Sequence, residues 1–258
     1  MYDLTIQLNG PEGFDVAGRV VNFTDPLGLL PIDVVSDENG VVMVELPIGE
    51  WSISDNSDEE YILIEEVTVE DSDMNFDFTY STSVWVNGSI ETPNTAGLSY
   101  EEWLAFPDDE KLYTDASSVP VVFHNSEFEF TAVTDQSGEF SQRLPAGMTF
   151  NVNAQSSFEN YAAGLIVTVT EGMTELDTLV LEPTVGVIGN VYLFDIETNW
   201  NQDIPNYEPV EIHATGEDGV VWKTETDESG TFNFVLLNGT WAFTCLLYTS
   251  PSPRDPNR

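Results

Sequence analysis

The sequence predicts an all-β protein: Greek-key β-sandwich domains strung in tandem, the last of them truncated. Three observations carry this. The spacing Asp, two residues, Gly, five residues, Leu, two residues, Gly is written three times. It occurs at Asp37, Gly40, Leu46 and Gly49, again at Asp135, Gly138, Leu144 and Gly147, and again at Asp227, Gly230, Leu236 and Gly239. The copies stand 98 and 92 residues apart, the length of a domain rather than of a solenoid repeat. Within the phrase apolar residues alternate (Val42, Val44, Leu46; Phe232, Phe234, Leu236), the period of a half-buried strand.

Each position has a physical reason. Asp first and Gly fourth suit a type I turn, because Asp caps the turn and Gly tolerates positive φ. The strand after the turn ends at a second one ("LPIG", "LPAG", "LLNG"), and a further strand follows. It is expected to point Trp51 and Ile53 inward in the first copy, and Trp241 and Phe243 in the third. In the second copy Phe150 and Val152 stand one place later. That shift would turn them to the opposite face unless a bulge or longer turn absorbs a residue.

Upstream, "PIDVV" from Pro31, "PVVFH" from Pro120 and "PVEIH" from Pro209 each put proline at a strand start. Gly18, Gly88 and Gly189 each lead a short strand. Downstream, "IEEVTVE" and "LIVTVTE" alternate, followed by "MNFDFTY" and "LDTLVLEPT". The opening "YDLTIQL" resembles these closing strands, so residues 1–15 are expected to close a preceding repeat. The expected division is then 16–83, 84–184 and a truncated 185–244. The second copy carries an insert over 94–117. There Ser99 and Glu102 make a capping box for a short helix over 100–105, and Pro107 ends it or starts another turn. Long inserts on a rigid sandwich are where binding function resides. Trp103, Phe106 and Tyr113, or Trp200 and Tyr207 in the third copy's insert, are the aromatics offered to a glycan or protein; the bland expectation is that they fold back over a sheet edge.

Composition removes several function classes. The chain has 46 acids against 6 bases, a formal net charge of −40. Such a surface repels phosphate backbones and anionic membranes, which argues against nucleic acid as a partner. It suits salty or calcium-rich surroundings, where screening lengths are about 8 Å or shorter. With 41% hydrophobic and 12% aromatic residues the chain is globular, not disordered. No apolar run reaches the length of a membrane span, and "MYDLTIQLNG" has neither the basic nor the apolar region of a signal peptide. The single cysteine, Cys245, opens "CLLYTSPSPRD", which resembles a translated sequencing adapter. Residues 245–258 are therefore expected to be an artefactual tail outside the fold. The remainder has no thiol, hence no disulfide, thiolate ligand or cysteine nucleophile.

Chemistry-bearing motifs are sparse. No G-x-S-x-G, H-E-x-x-H or phosphate-binding glycine loop occurs, and no catalytic residue or resident cofactor is assigned. His124 and His213 each follow a strand-opening proline by four residues, which reads as a strand-face preference. "DSDMNFD" from Asp71 reads as a strand, whereas the acidic turn "DNSDEE" makes Asp55, Asp58 and Glu59 the calcium candidates. Their expected affinity is the extracellular type, about 10⁻⁴–10⁻³ M. Asn22, Asn87 and Asn238 head N-glycosylation acceptor sequences.

The turn, proline and strand phrases together resemble the carboxypeptidase regulatory-like module, with transthyretin-like and Cna-B-like domains as wider relatives. The resemblance covers most of residues 16–244 and specifies turn–strand–turn grammar without chemistry. It implies seven-strand-type Ig-like or prealbumin-like sandwiches, often in tandem on secreted or cell-surface proteins, with neighbouring modules as partners. Cna-B relatives can carry an internal Lys–Asn isopeptide bond. Here only Lys111 and Lys223 are available, and neither lies in a first strand of a copy. The function expected is that of a non-catalytic fragment of an extracellular or cell-surface protein, serving as stalk, adhesion module or spacer. The alternative is an accessory region of a secreted hydrolase such as a peptidase, positioning substrate or binding carbohydrate or peptide.

Overall fold

The computed structural model describes residues 1–25, 31–156, 160–191, 193–195, 200–202 and 209–246. Its strands build three apolar cores. The first takes β1 (Tyr2–Asn9), β2 (Val20–Thr24), β3 (Ile32–Val35), β4 (Val41–Leu46), β5 (Gly49–Asp55), β6 (Tyr61–Val69) and β7 (Met74–Thr79). They form two sheets, one in the order β4, β1, β7 and the other in the order β3, β2, β5, β6. Leu4, Ile6, Val42 and Leu46 of the first sheet face Val21, Phe23, Ile53 and Leu63 of the second. Alternation along each strand produces this: every second residue of β4 is buried, and β5 buries Trp51 and Ile53.

Two more groups follow with the same arrangement. The second has β8 (Ser81–Pro93), α1 (Tyr100–Leu104), β9 (Tyr113–Asp115), β10 (Pro120–His124), β11 (Glu129–Val133), β12 (Glu139–Pro145), β13 (Thr149–Gln155), β14 (Tyr161–Thr168) and β15 (Leu179–Val180). Here β12, β8 and β15 face β11, β10, β13 and β14 across a core that includes Phe123, Phe140, Phe150 and Leu181. The third has β16 (Glu182–Asn190), β17 (Leu193–Asp195), β18 (Trp200–Gln202), β19 (Glu211–Gly216), β20 (Val221–Glu225), β21 (Thr231–Leu237) and β22 (Trp241–Leu246). Its pairs β21–β16 and β20–β19–β22 enclose Ile212, Ala214, Phe234 and Leu236.

The repeated phrase is one hydrogen-bonded device used three times. Asp37 Oδ1 accepts from the amides of Asn39 and Val41, both at 2.8 Å. Asp135 repeats this with Ser137 and Glu139, and Asp227 with Ser229 and Thr231. The glycines at the fourth place sit at φ +77°, +71° and +77°, where a side chain is strained. The glycine carbonyl then accepts from Leu8, Ile90 or Val191. The residue before each Asp completes the device. The hydroxyl of Ser36, Thr134 or Thr226 is buried and accepts from the amide of Arg19, Val119 or Val210.

Matching the three groups strand by strand corrects three expectations. First, β1 does not close a preceding repeat. It lies between β4 and β7, pairs with both, and matches β8 and β16, which pair with β12 and β21 in the same way. Its alternation is that of any half-buried strand, so pattern alone could not tell an opening strand from a closing one. Second, Gly18 precedes β2, whereas Gly88 and Gly189 lie inside β8 and β16, opposite Phe140 and Phe232. Their missing side chains make room for those rings; at the matching place β1 pairs Ile6 with Val42. Third, "PIDVV" is β3 while "PVVFH" is β10, the counterpart of β2, so the three prolines do not mark one strand. Trp241 and Phe243 do take the expected inward face, Trp241 half-buried against the third core and Phe243 against the rings of Phe232 and Phe234, though Phe243 stays 43% exposed. Among the described residues no strand follows β22 to cover it. In the second copy the displaced Phe150 and Val152 do keep the inward face. Three residues separate β12 from β13, against two between β4 and β5, and the longer turn absorbs the extra position. Cys245 and Leu246, at the start of the expected tail, continue β22 opposite Ile212 and Glu211; residues 247–258 lie outside the described residues.

Candidate functional site: the junctions between sandwiches

No linker separates the cores. Strand β7 ends at Thr79 and β8 begins at Ser81; β15 ends at Val180 and β16 begins at Glu182. The single residue between, Tyr80 or Leu181, is buried in the core it leaves. Each new first strand starts by pairing with the previous sandwich. β8 pairs Ser81 and Thr82 with Ile62 and Tyr61 of β6, and β16 pairs Glu182 and Pro183 with Ala162 and Tyr161 of β14. The next amide, Ser83 or Thr184, donates to Glu60 or Asn160 at 2.8 Å in both cases. Two sheets thus run unbroken from one sandwich into the next.

Side chains lock each junction differently. At the first, Arg143 of β12 donates through Nε to Ser83 Oγ at 2.8 Å, through Nη1 to the Asn56 carbonyl at 2.9 Å and through Nη2 to the Tyr61 carbonyl at 2.8 Å. At the second, Val221 of β20 is held by the second sandwich. Its amide donates to Asn151 Oδ1 at 2.9 Å, and its carbonyl accepts from His124 Nε2 at 3.0 Å. Lys223 Nζ donates to the Asn125 carbonyl at 3.0 Å. Gly164 has no side chain to hold off Val220 and Trp222, so β20 packs closely onto β14.

The acidic turn expected to hold calcium holds a guanidinium instead. Asp55 is buried, and its Oδ1 accepts from the Ser57 amide and hydroxyl. Its Oδ2 accepts from Tyr80 Oη at 2.7 Å and lies 3.1 Å from Arg19 Nε. Asp58 turns Oδ2 toward Arg19 Nη2 at 3.4 Å and spends Oδ1 on the amides of Glu60 and Tyr61. The Arg19 contacts are off-line ion pairs, and its planar group also lies 4.6 Å over Phe14. Burial works against the Asp55 carboxylate, but bonds from Ser57 and Tyr80 and the charge of Arg19 together hold its pKa below the ordinary range. Burial and the bond to Asp55 push the Tyr80 phenol up. An ion needs several open oxygens; those of Asp55 and Asp58 are committed, and Glu59 adds no closed cage. Among the described residues no cluster of three or more His, Cys, Asp or Glu is placed to hold a metal.

The histidines do not share a register. His124 is buried, with Nε2 2.5 Å from Asn153 Oδ1. That nitrogen faces two oxygens, so it carries the proton. Burial pushes the ring's pKa down. His213 is partly exposed and 2.6 Å from Glu211 Oε1. The insert folds back through Trp103 alone, while Tyr113 stays 39% exposed. Helix α1 carries the Ser99–Glu102 capping box, Trp103 is buried against Tyr100 and Tyr113, and β9 pairs with the far end of β8. Phe106 stays exposed; the side chains of Trp200 and Tyr207 lie outside the described residues. Of the glycosylation candidates, Asn22 and Asn87 sit on strands with Nδ2 bonded to Asp33 Oδ1 and the Thr174 carbonyl. Asn238 is exposed in the turn after β21. Among the described residues the bases, Arg19, Lys111, Arg143 and Lys223, are all engaged in contacts.

No protein-family model matches the chain, and no curated protein matches it. Solved structures similar to it include the TIE protein of Bacillus anthracis, at 16% identity over 95% of this chain and 45% of that one, with a TM-score of 0.27. The major pilin subunit of Bacillus cereus is 12% identical over 91% of this chain and 84% of that one, TM-score 0.27. The minor pilin of Streptococcus agalactiae is 9% identical over 72% of this chain and 98% of that one, TM-score 0.30. The chain thus spans less than half of the first of these. No helix among the described residues is long and apolar enough to cross a membrane.

Proposed function

We propose that this chain is a structural segment of an extracellular or cell-surface modular protein, in which stiffly joined β-sandwiches of the carboxypeptidase regulatory-like kind act as stalk, spacer or adhesive shaft rather than as catalyst. The observation that supports this most is the hand-off of one residue between the last strand of one sandwich and the first strand of the next, made twice with the same hydrogen bonds. Flexible multidomain chains place polar, Gly- or Pro-rich linkers at such points. Here a buried Tyr or Leu stands there instead. The acidic exterior fits display in salty or calcium-rich surroundings, and the bases among the described residues serve joints and turns.

Small-angle scattering on the whole chain tests this. A compact chain of this length has a radius of gyration of about 18 Å. An array of stiff sandwiches gives a distinctly larger value that does not change between low and high salt. A value near the compact one, or a broad distribution that shifts with salt, overturns the reading.

A further inference from the structure

We infer that the groove beside the first junction is a binding subsite for a neutral sugar unit, with the indole of Trp85 as its platform. This goes beyond the shaft reading and does not rest on it. The groove, about 450 Å³, lies where β12 and β8 of the second sandwich meet β5 and β6 of the first. Trp85 stands directly opposite Arg143 across the β8–β12 pair. Its neighbours Val84 and Val86 point into the second core, so the indole points out. It is 55% exposed, whereas Trp51, Trp103 and Trp222 are buried and Trp241 is half-buried. Leaving so large an apolar ring in water costs free energy that burial would recover. Ile62 and Phe130 continue the apolar surface beside it, and Ile62 is buried outside all three cores.

The rest of the lining sets the ligand's charge. Ser54, Asn56, Ser141 and Gln142 supply uncharged hydroxyl and amide groups, and no carboxylate lines the groove. In a chain with 46 acids that is a selective absence; the larger groove beside β15 carries Asp135, Glu139 and Glu175. Arg143 is the one charged group, and each of its three nitrogens already donates to the junction. An aromatic face with a neutral polar rim matches a pyranose ring, which offers one apolar C–H face and a belt of hydroxyls. A few placed polar groups around an apolar floor are how small-molecule sites fix orientation. A cationic peptide would favour the acidic groove instead, and an anionic glycan would meet the field of the whole chain.

The test is affinity electrophoresis of the full chain through gels containing neutral polysaccharides (a β-glucan, a galactomannan, a mannan), with carboxymethyl-cellulose as the anionic arm. At least one neutral polymer should retard the protein. Trp85→Ala should weaken that retardation at least about tenfold, the equivalent of about 1.4 kcal/mol. Trp85→Phe, which keeps a ring, and Phe106→Ala, on the insert, should retain most of it. Because Trp85 is outside the cores, its variants should melt as the parent does. The inference is overturned if no neutral polymer retards the chain, if only the anionic one does, or if Trp85→Ala runs like the parent.

Discussion

Arg143 Nη2 donates to the carbonyl of Tyr61 at 2.8 Å, so a side chain of the second sandwich completes a loop of the first. Replacing Arg143 with Ala removes three bonds and strands two carbonyls at the joint. Charged hydrogen bonds of this kind are each worth about 1.5–3 kcal/mol, less where water can enter; a loss of about 2 kcal/mol is expected. Calorimetry should show the first sandwich melting as a separate, earlier transition. Lysine should restore little, because it lacks the planar fork that reaches three acceptors.

Gly88 faces the ring of Phe140 across a strand pair. A methyl group there would sit 2.5 Å from the ring's Cζ, and Phe140 is held in the core. Gly88→Ala should cost about 1–3 kcal/mol by overpacking. Combining it with Phe140→Leu should recover part of that loss, so the two changes should be measurably non-additive in denaturant titrations.

The hydroxyl of Thr134 accepts from the Val119 amide at 2.9 Å and donates to the Ala116 carbonyl at 2.6 Å, all buried. Thr134→Val keeps the shape and removes both bonds. It should destabilise the second sandwich by about 2 kcal/mol, whereas Thr134→Ser should cost less, since it keeps the oxygen.

Calcium should leave the melting temperature unchanged relative to EDTA, because Arg19 already neutralises Asp55. Arg19→Ala should be costly instead, about 3 kcal/mol, as it leaves a buried carboxylate without its cation. A clear rise in melting temperature with calcium in the parent protein would return the turn to metal binding.

Stability should fall on mild acidification at the second junction. The folded state holds His124 below its ordinary value of 6.5, chiefly by burial, with Lys223 adding to the effect and Glu129 opposing it. Between the lowered value and 6.5 the unfolded chain therefore binds the extra proton, and stability is lost as pH falls through that window. His124→Gln should flatten the dependence there. A second loss, below the ordinary Asp value of 3.8, belongs to Asp55, whose carboxylate the fold keeps ionised.

Much of the architecture is legible in the sequence because it is written in local chemistry. The Asp-x-x-Gly turns, the inward faces of β4 and β5 and the capping box at Ser99 each depend on neighbours a few residues away. What the sequence hides is long-range. Nothing local tells that β1 runs parallel to β7, or that "PVVFH" and "PIDVV" occupy different strands. The hydroxyl before each Asp was visible as a repeated Ser or Thr, yet its partner is a strand opening 15 to 17 residues upstream. The same holds for the site. The acidic turn looks like a cation trap until Arg19, 36 residues earlier, reaches it. Trp85 looks like any strand aromatic until the neighbouring sandwich frames it.

The parallel pairing of β1 with β7 sets how the first sandwich meets tension. A pull from one end of the array to the other enters at the start of β1 and leaves at the end of β7, at opposite ends of two adjacent strands. The six registered pairs from Leu4 and Met74 to Asn9 and Thr79 are then sheared together instead of unzipped one at a time. Because Tyr80 hands the chain directly to β8, force passes to the next sandwich along the same line, with no slack to take up first.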